Sequence, residues 1–283
     1  MMNHAEMRST ALPSGDMVPV LGQGTWYMGE NGHQFQHEVD ALRFGLDLGM
    51  TLIDTAEMYA NGGAEEVVAE AISGRRDGVF LVSKVLPSNA SRRGTLLACE
   101  RSLKRLKCET IDLYLLHWRG GYPLEDTVAA FEDLIRDGKI RYWGVSNFDT
   151  GDLEELECID GGEAVATNQV LYNLTRRGVE YDLMPWCRSR KIPIMAYSPI
   201  EQGRMLDHPS LAQVAKDTGA TPAAVALAFV LRHDGVIAIP KSSTTTHIRQ
   251  NRSALDLRLT AEHLAILEKA FPPPRRKQSL EML

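Results

Sequence analysis

Thr51-Leu52-Ile53-Asp54-Thr55-Ala56-Glu57-Met58-Tyr59 decides the reading of this chain. A short strand-like run drives into an acid, and a tyrosine follows. Two later apolar runs repeat the pattern. Phe80-Leu81-Val82-Ser83 ends on Lys84, and Ile111-Asp112-Leu113-Tyr114-Leu115-Leu116 ends on His117. An acid, a phenol, an ammonium and an imidazole thus fall at or just past the ends of three consecutive predicted strands.

Working outward, short apolar runs alternate with amphipathic stretches. Met17 to Leu21 reads as a strand of an N-terminal hairpin turned at Ser14-Gly15-Asp16. Eight further strands are predicted: Gly22–Trp26, Thr51–Thr55, Val79–Val85, Ile111–Leu116, Tyr142–Val145, Ala164–Val170, Pro193–Tyr197 and Val236–Pro240. Helical periodicity occupies about 36–48, Ala64–Ile72, 91–107, 124–137, Leu153–Cys158, 179–190 and 244–254. Two more helical stretches lie before the last strand. The second opens on Thr221 as N-cap with Pro222 behind it. A final helix starts at Thr260 and stops at Pro272-Pro273-Pro274.

Strand alternating with helix implies a parallel sheet. The near-continuous apolar runs before Asp54, Lys84 and His117 fit strands covered on both faces. Eight such units close naturally into a (β/α)8 TIM barrel, here with an N-terminal β-hairpin and an extra C-terminal helix. An open doubly wound sheet is the competing fold. The strand count and the lack of a domain boundary favour one barrel domain over 1–283.

Composition narrows the function. Net charge is −6 over 283 residues with no basic block, which argues against a nucleic-acid surface or a polybasic membrane patch. No apolar run approaches the roughly 18 residues of a membrane span, and Met1 to Met17 lacks the apolar core of a signal peptide. Cys99, Cys108, Cys158 and Cys187 are scattered, so free thiols in a reducing cytoplasm are expected and no metal site is.

Active sites of such barrels lie at the C-terminal strand ends. Adjacent strands are roughly 5 Å apart, so Asp54, Tyr59, Lys84 and His117 can share one pocket. The set suits carbonyl reduction. A hydride delivered to carbon leaves charge on oxygen, and an acid must supply a proton. A free tyrosine titrates near pH ~10, too high for efficient work near neutrality. An adjacent Lys84, held by Asp54, is expected to pull it down, while His117 orients the carbonyl oxygen.

The chain here resembles the aldo-keto reductases along nearly its whole length. The shared motifs are Gly22-x-Gly24-Thr25-Trp26, Asp54-Thr55-Ala56-x-x-Tyr59, Lys84, Leu116-His117-Trp118, Gly144-Val145-Ser146-Asn147-Phe148, Asn168-Gln169, Ala196-Tyr197-Ser198-Pro199 and Ile239-Pro240-Lys241-Ser242. The resemblance is to the prokaryotic branch, bacterial enzymes described as methylglyoxal reductases. It implies a catalytic tetrad of Asp54, Tyr59, Lys84 and His117 and NADPH as cofactor, with NADH possible as an alternative. No G-x-G-x-x-G follows any strand, so the nicotinamide is expected across the barrel mouth instead. Gly24, Thr25, Trp26 and Asp54 fall in the matched segments beside it. Ser146, Asn147 and Gln169 match residues that hold the carboxamide, and Tyr197 with Ser198 matches the stacking position. Lys241 and Ser242 match contacts to the 2′-phosphate, and Asn251 matches an adenine contact.

His247 stands where many relatives carry arginine, and Arg249 is a candidate to compensate. Trp26, Tyr27, Met58 and Trp118 are the substrate-pocket candidates, whereas Trp186 reads as core. Short loops and a short tail imply an open pocket suited to small 2-oxoaldehydes and other aldehydes. A monomer or weak homo-oligomer is expected. Two other functions use the same residues: a nicotinamide-binding regulatory or partner-binding protein with little turnover, and a non-redox barrel enzyme with Lys84 as a Schiff-base nucleophile.

Overall fold

A computed structural model describes residues 7–283. Its centre is an eight-stranded parallel sheet in sequence order: β3 (Gln23–Gly24), β4 (Leu52–Asp54), β5 (Phe80–Val85), β6 (Ile111–Leu116), β7 (Ile140–Ser146), β8 (Asn168–Leu171), β9 (Ile194–Tyr197) and β10 (Val236–Ala238). Parallel bridges pair Leu21 with Ala238 and Gly24 with Lys241, joining the first strand to the last. The sheet is therefore the expected (β/α)8 barrel.

Strand parity explains the barrel's contents. Alternate residues point to one face. Leu52, Val82, Leu113, Leu115, Ala166, Met195, Ile237 and Ile239 form one buried cluster inside the barrel. Two residues further along their strands, on the same face, stand Asp54 after Leu52, Lys84 after Val82, and His117 after Leu115. The polar residues form the top layer of an apolar stack because the strand period puts them there.

The hairpin of β1 (Ser9–Ala11) and β2 (Met17–Pro19) closes the other end. Its Leu12 and Val18 join the interior cluster, and Tyr142 at the foot of β7 donates a hydrogen bond to Asp16 in the turn. Beside it, the buried Asp112 accepts from the Leu81 N–H at 2.9 Å and pairs with Arg76 and Arg141.

The outer layer comprises α1 (Phe35–Asp47), α2 (Gly63–Ala71), α3 (Arg92–Leu106), α4 (Leu124–Arg136), α5 (Thr150–Glu157), α6 (Leu183–Ser189), α7 (Pro209–Thr218), α8 (Pro222–Val230), α9 (Thr245–Ser253) and α10 (Ala261–Ala270). α8 is apolar all round, and every residue from Ala224 to Val230 is buried. It lies between the barrel and a satellite core with α7 and α10, built on Leu211, Val214, Phe229, Leu267 and Phe271. Thr221 caps α8 as expected, accepting from the Ala224 N–H at 3.2 Å.

Several boundaries differ from the sequence reading, and three of the differences have a plain local cause. The β8 strand starts at Asn168 rather than Ala164, because Gly162–Ala164 forms a tight turn. α5 begins earlier than Leu153, at Thr150, because Asp149 and Asp152 form a reciprocal capping box. The helical piece around 179–190 splits into a turn at Gly178–Glu180 and α6. All four cysteines are free, with Cys99 and Cys187 buried and Cys158 exposed. Trp186 packs partly buried against the outer core, as expected. Among the described residues no helix is long and apolar enough to cross a membrane.

Candidate active site at the barrel mouth

Asp54 ends β4 and Lys84 lies near the end of the neighbouring β5. Tyr59 opens the tight turn Tyr59–Gly62, in which Ala60 and Asn61 take positive φ of 50° and 52°. That reversal swings the tyrosine back over the strand end. His117 follows β6 directly, its backbone N–H donating to the Val85 carbonyl at 3.0 Å.

Lys84 is completely buried. Its Nζ donates to Asp54 Oδ1 at 2.8 Å and Oδ2 at 2.9 Å, to the Thr55 carbonyl at 2.8 Å, and to the Tyr59 hydroxyl oxygen at 3.3 Å. An ammonium can only donate. The Tyr59 oxygen is therefore the acceptor, and its own proton points away from Lys84. The cavity lies on that side, lined by Tyr59, Asp54 and His117, whereas Lys84 does not reach it. Gln169 Nε2 donates to Asp54 Oδ1 at 2.7 Å, so the carboxylate is held from two strands.

The electrostatics overturn one expectation. Tyr59 is held well above the ordinary tyrosine pKa, first by burial and second by the Asp54 carboxylate. Burial therefore outweighs the pull of the adjacent Lys84, and the Asp54 carboxylate works in the same direction as burial. The phenol is thus a firmly protonated donor. Burial lowers Lys84 itself, against the opposing pull of Asp54. Burial, with Lys84 nearby, lowers His117 to about 2, so its imidazole is neutral at any working pH. Its ring meets that of Tyr59 edge-on at 5.8 Å.

One cavity of ≈ 790 Å³ runs from these groups along the mouth to the start of α9. Gly24, Thr25, Trp26, Tyr27, Met58, Trp118, Ser146, Asn147, Gln169, Tyr197, Ser198, Lys241, His247 and Asn251 all line it, as the sequence reading places them. The Tyr197 hydroxyl donates to Asn147 Oδ1 at 3.0 Å, and Asn147 Nδ2 donates to the His117 carbonyl at 3.1 Å. Those bonds fix the Tyr197 ring at the floor. Trp26 and Tyr27 stack with centroids 4.5 Å apart. Tyr27, Asn147, Ser198 and Gln202 have φ of 67°, 60°, 45° and 55°, so four non-glycine lining residues take the left-handed region that side chains rarely adopt.

Two expected contributors stand apart. Ser242 is not in the lining, because its hydroxyl folds back to accept the Thr244 N–H at 3.2 Å. Arg249 does not compensate for His247, because its guanidinium lies over the Phe44 ring at 5.1 Å. The tail contributes to the pocket wall as well, since Met282 and Leu283 line the cavity. Arg176 ties the tail to the loop after β9 by pairing with both Glu281 and Glu201. Gln250 and the 200–207 loop are further lining residues the sequence reading missed. Gln250 lies three residues after His247, one helical turn on, and helix spacing alone could have found it.

The donor set suits a dinucleotide phosphate. A cation, Lys241, and the N-terminal end of α9 stand at one end of the cavity, and the buried tetrad stands at the other. Among the described residues no group of His, Cys, Asp and Glu is arranged to hold a metal ion.

Comparison with known proteins agrees. Residues 20–271 match the sequence profile of the Aldo/keto reductase family. The chain is 53% identical to the methylglyoxal reductase YeaE of Escherichia coli, over 95% of this chain and 97% of that protein. It is 36% identical to the glyoxal reductase of Bacillus subtilis, over 89% of each. An aldo/keto reductase of Klebsiella pneumoniae, solved with NADP and acetate, superposes with TM-score 0.96 at 51% identity, covering 98% of this chain and 100% of that one. A second structure of an aldo-keto reductase from that organism, with NADPH, also superposes at 0.96. The chain belongs to the aldo/keto reductase family of oxidoreductases.

Proposed function

We propose that this enzyme reduces aldehydes and ketones to alcohols, small 2-oxoaldehydes such as methylglyoxal among them, with Tyr59 as proton donor. The observation that carries the reading is the direction of one hydrogen bond. Lys84 Nζ donates to the Tyr59 oxygen, which leaves the phenolic proton free to face the cavity.

NADPH, when bound, supplies the hydride. The chain's own residues do the rest. Tyr197 offers a ring face, and Gln169, Ser146 and Asn147 offer amide and hydroxyl groups beside it, which suits a carboxamide. Lys241, His247 and Asn251 take the phosphate and adenine end. A carbonyl oxygen entering between Tyr59 and His117 meets two neutral hydrogen-bond donors. As negative charge grows on that oxygen, Tyr59 gives up its proton. The tyrosinate left behind is stabilised by the hydrogen bond from Lys84 already in place. Lys84 thus favours the tyrosinate and offsets part of the rise that burial imposes on Tyr59. The stacked Trp26 and Tyr27, with Met58 and Trp118, form an apolar wall that excludes water from the reacting carbonyl.

One substitution and one substrate panel test this. Tyr59→Phe keeps the ring and removes the proton, so kcat with methylglyoxal should fall by about 10²–10⁴. NADPH binding, followed by fluorescence, should survive. Near-normal turnover in that variant would remove Tyr59 as the acid. Wild-type chain that binds NADPH but turns over no aldehyde in a broad panel would favour the regulatory alternative. The Schiff-base alternative has no support, because Lys84 is fully buried and saturated with acceptors.

A further inference from the structure

Glu57 has no part in the chemistry above, yet its side chain is only 7% exposed. Its Oε1 accepts from the Leu86 backbone N–H at 2.8 Å and from Asn89 Nδ2 at 2.8 Å. Its Oε2 faces the Arg101 guanidinium at 3.6 Å. The positions matter. Glu57 precedes Tyr59 by two residues, and Leu86 follows Lys84 by two. One carboxylate therefore joins the loop that carries the phenol to the strand that carries the ammonium.

The link continues beyond Leu86. That residue starts the tight turn Pro87–Asn89, and Pro87 presses on Gly120, where an added Cβ would lie 2.5 Å from the Pro87 Cβ. Gly120 sits three residues past His117. The turn gripped by Glu57 is thus wedged between the Tyr59 loop and the His117 loop. The backbone ladder between the two segments is short at Thr55, whose N–H reaches the Val82 carbonyl at 2.9 Å, but has lengthened by Glu57, whose N–H reaches the Lys84 carbonyl only at 3.4 Å. Glu65, a buried acid near Lys84 besides Asp54, differs in kind. It accepts from Ser83 and Arg105 and so ties the outer face of β5 to the helices.

We infer that Glu57 is a positioning residue that sets the distance from Tyr59 to Lys84 by clamping the Tyr59 loop to the turn at Pro87–Asn89. The inference rests on the reductase reading. Its physical basis is that proton transfer depends steeply on donor placement, and a displacement of about 1 Å costs about 10²-fold. A carboxylate on two N–H donors makes a stiff, charge-assisted clamp.

The experiment compares wild type, Glu57→Ala and Glu57→Gln with NADPH and methylglyoxal or an aromatic aldehyde. Wild type that turns over neither removes the reductase reading itself, whatever the variants do. Given turnover, Glu57→Ala should lose about 30- to 100-fold in kcat, while the NADPH Kd stays within about twofold. Its solvent deuterium isotope effect on kcat should rise, because the proton step becomes slow. Glu57→Gln keeps an oxygen for both donors and should restore kcat to within about threefold. Unchanged kcat in Glu57→Ala overturns the proposal. So does a kcat that falls only in step with NADPH binding and Tm, with the isotope effect unmoved, or a Gln variant that rescues nothing. Should Glu57→Ala fail to fold, Asn89→Ala decides, since it withdraws one donor and leaves the acid. A several-fold loss of kcat with a raised isotope effect then supports the clamp, and wild-type behaviour overturns it.

Discussion

Lys84 Nζ lies 2.8 Å from Oδ1 and 2.9 Å from Oδ2 of Asp54, and both side chains are shut off from solvent. Removing one partner of such a pair leaves an uncompensated buried charge, which costs about 3–5 kcal/mol, whereas removing both is far cheaper. Asp54→Leu should therefore lower the stability measured by urea unfolding by about that amount. The double variant Asp54→Leu/Lys84→Met should recover most of it and remain inactive. A single variant as stable as wild type would mean that the pair is not ionised.

His117 makes stability depend on pH. Its folded pKa is about 2, against about 6.5 in an unfolded chain. Between those values the unfolded chain holds a proton that the folded chain refuses. Stability therefore rises with pH across that window and is lost as pH falls below about 6.5. At about pH 5 the loss amounts to about 2 kcal/mol relative to pH 8. The His117→Asn variant lacks this term. Urea midpoints at the two pH values should show the gap between wild type and His117→Asn shrinking by about that amount at the lower pH. A gap that stays constant would place the imidazole in water rather than in the buried site.

Gly24 stands at the seam where the barrel closes. A Cβ there would lie 2.7 Å from the Ile239 carbonyl oxygen, which is backbone and cannot swing aside. Gly24→Ala should cost about 1–3 kcal/mol, read as a lowered Tm. Gly138→Ala is an informative control. Nothing lies within 4 Å of its Cβ, but its φ of 69° makes the change unfavourable by strain alone. A Tm in Gly24→Ala equal to wild type would show that the seam is looser than the contact implies.

His247 is exposed and lines the end of the cavity proposed to take the cofactor phosphate. An arginine there would present a permanent, forked cation to a 2′-phosphate. His247→Arg should tighten NADPH by about 3- to 10-fold and leave NADH nearly unchanged, as read by fluorescence titration. Equal tightening of both cofactors would place the side chain on the shared pyrophosphate rather than on the 2′-phosphate.

Much of this enzyme was legible before folding was considered. Strands and helices alternate because apolar periodicity is local, and Thr221-Pro222 marks the start of α8 through its own side chain and ring. Parity along β4, β5 and β6 brings Asp54, Lys84 and His117 to one layer, and parity can be counted in the sequence. Boundaries were less legible where a cap outweighs the apolar pattern, as Asp149 does for α5.

Tertiary structure alone decided the rest. Spacing places Lys84 to acidify Tyr59, but the net shift is upward because burial dominates and the Asp54 charge adds to it, and burial is not encoded in spacing. Arg249 could not be aimed from its place on a helix, since Phe44, far off in the chain, captures it. Met282 and Leu283 enter the cavity through ion pairs of the tail with residues near 180, such as Arg176 and Asp182. Which groups share the barrel mouth follows from strand period and strand order, and both are properties of one chain read in order. Their protonation, their orientation and the wall around them came only from packing, because desolvation and long-range contact exist only once distant segments meet.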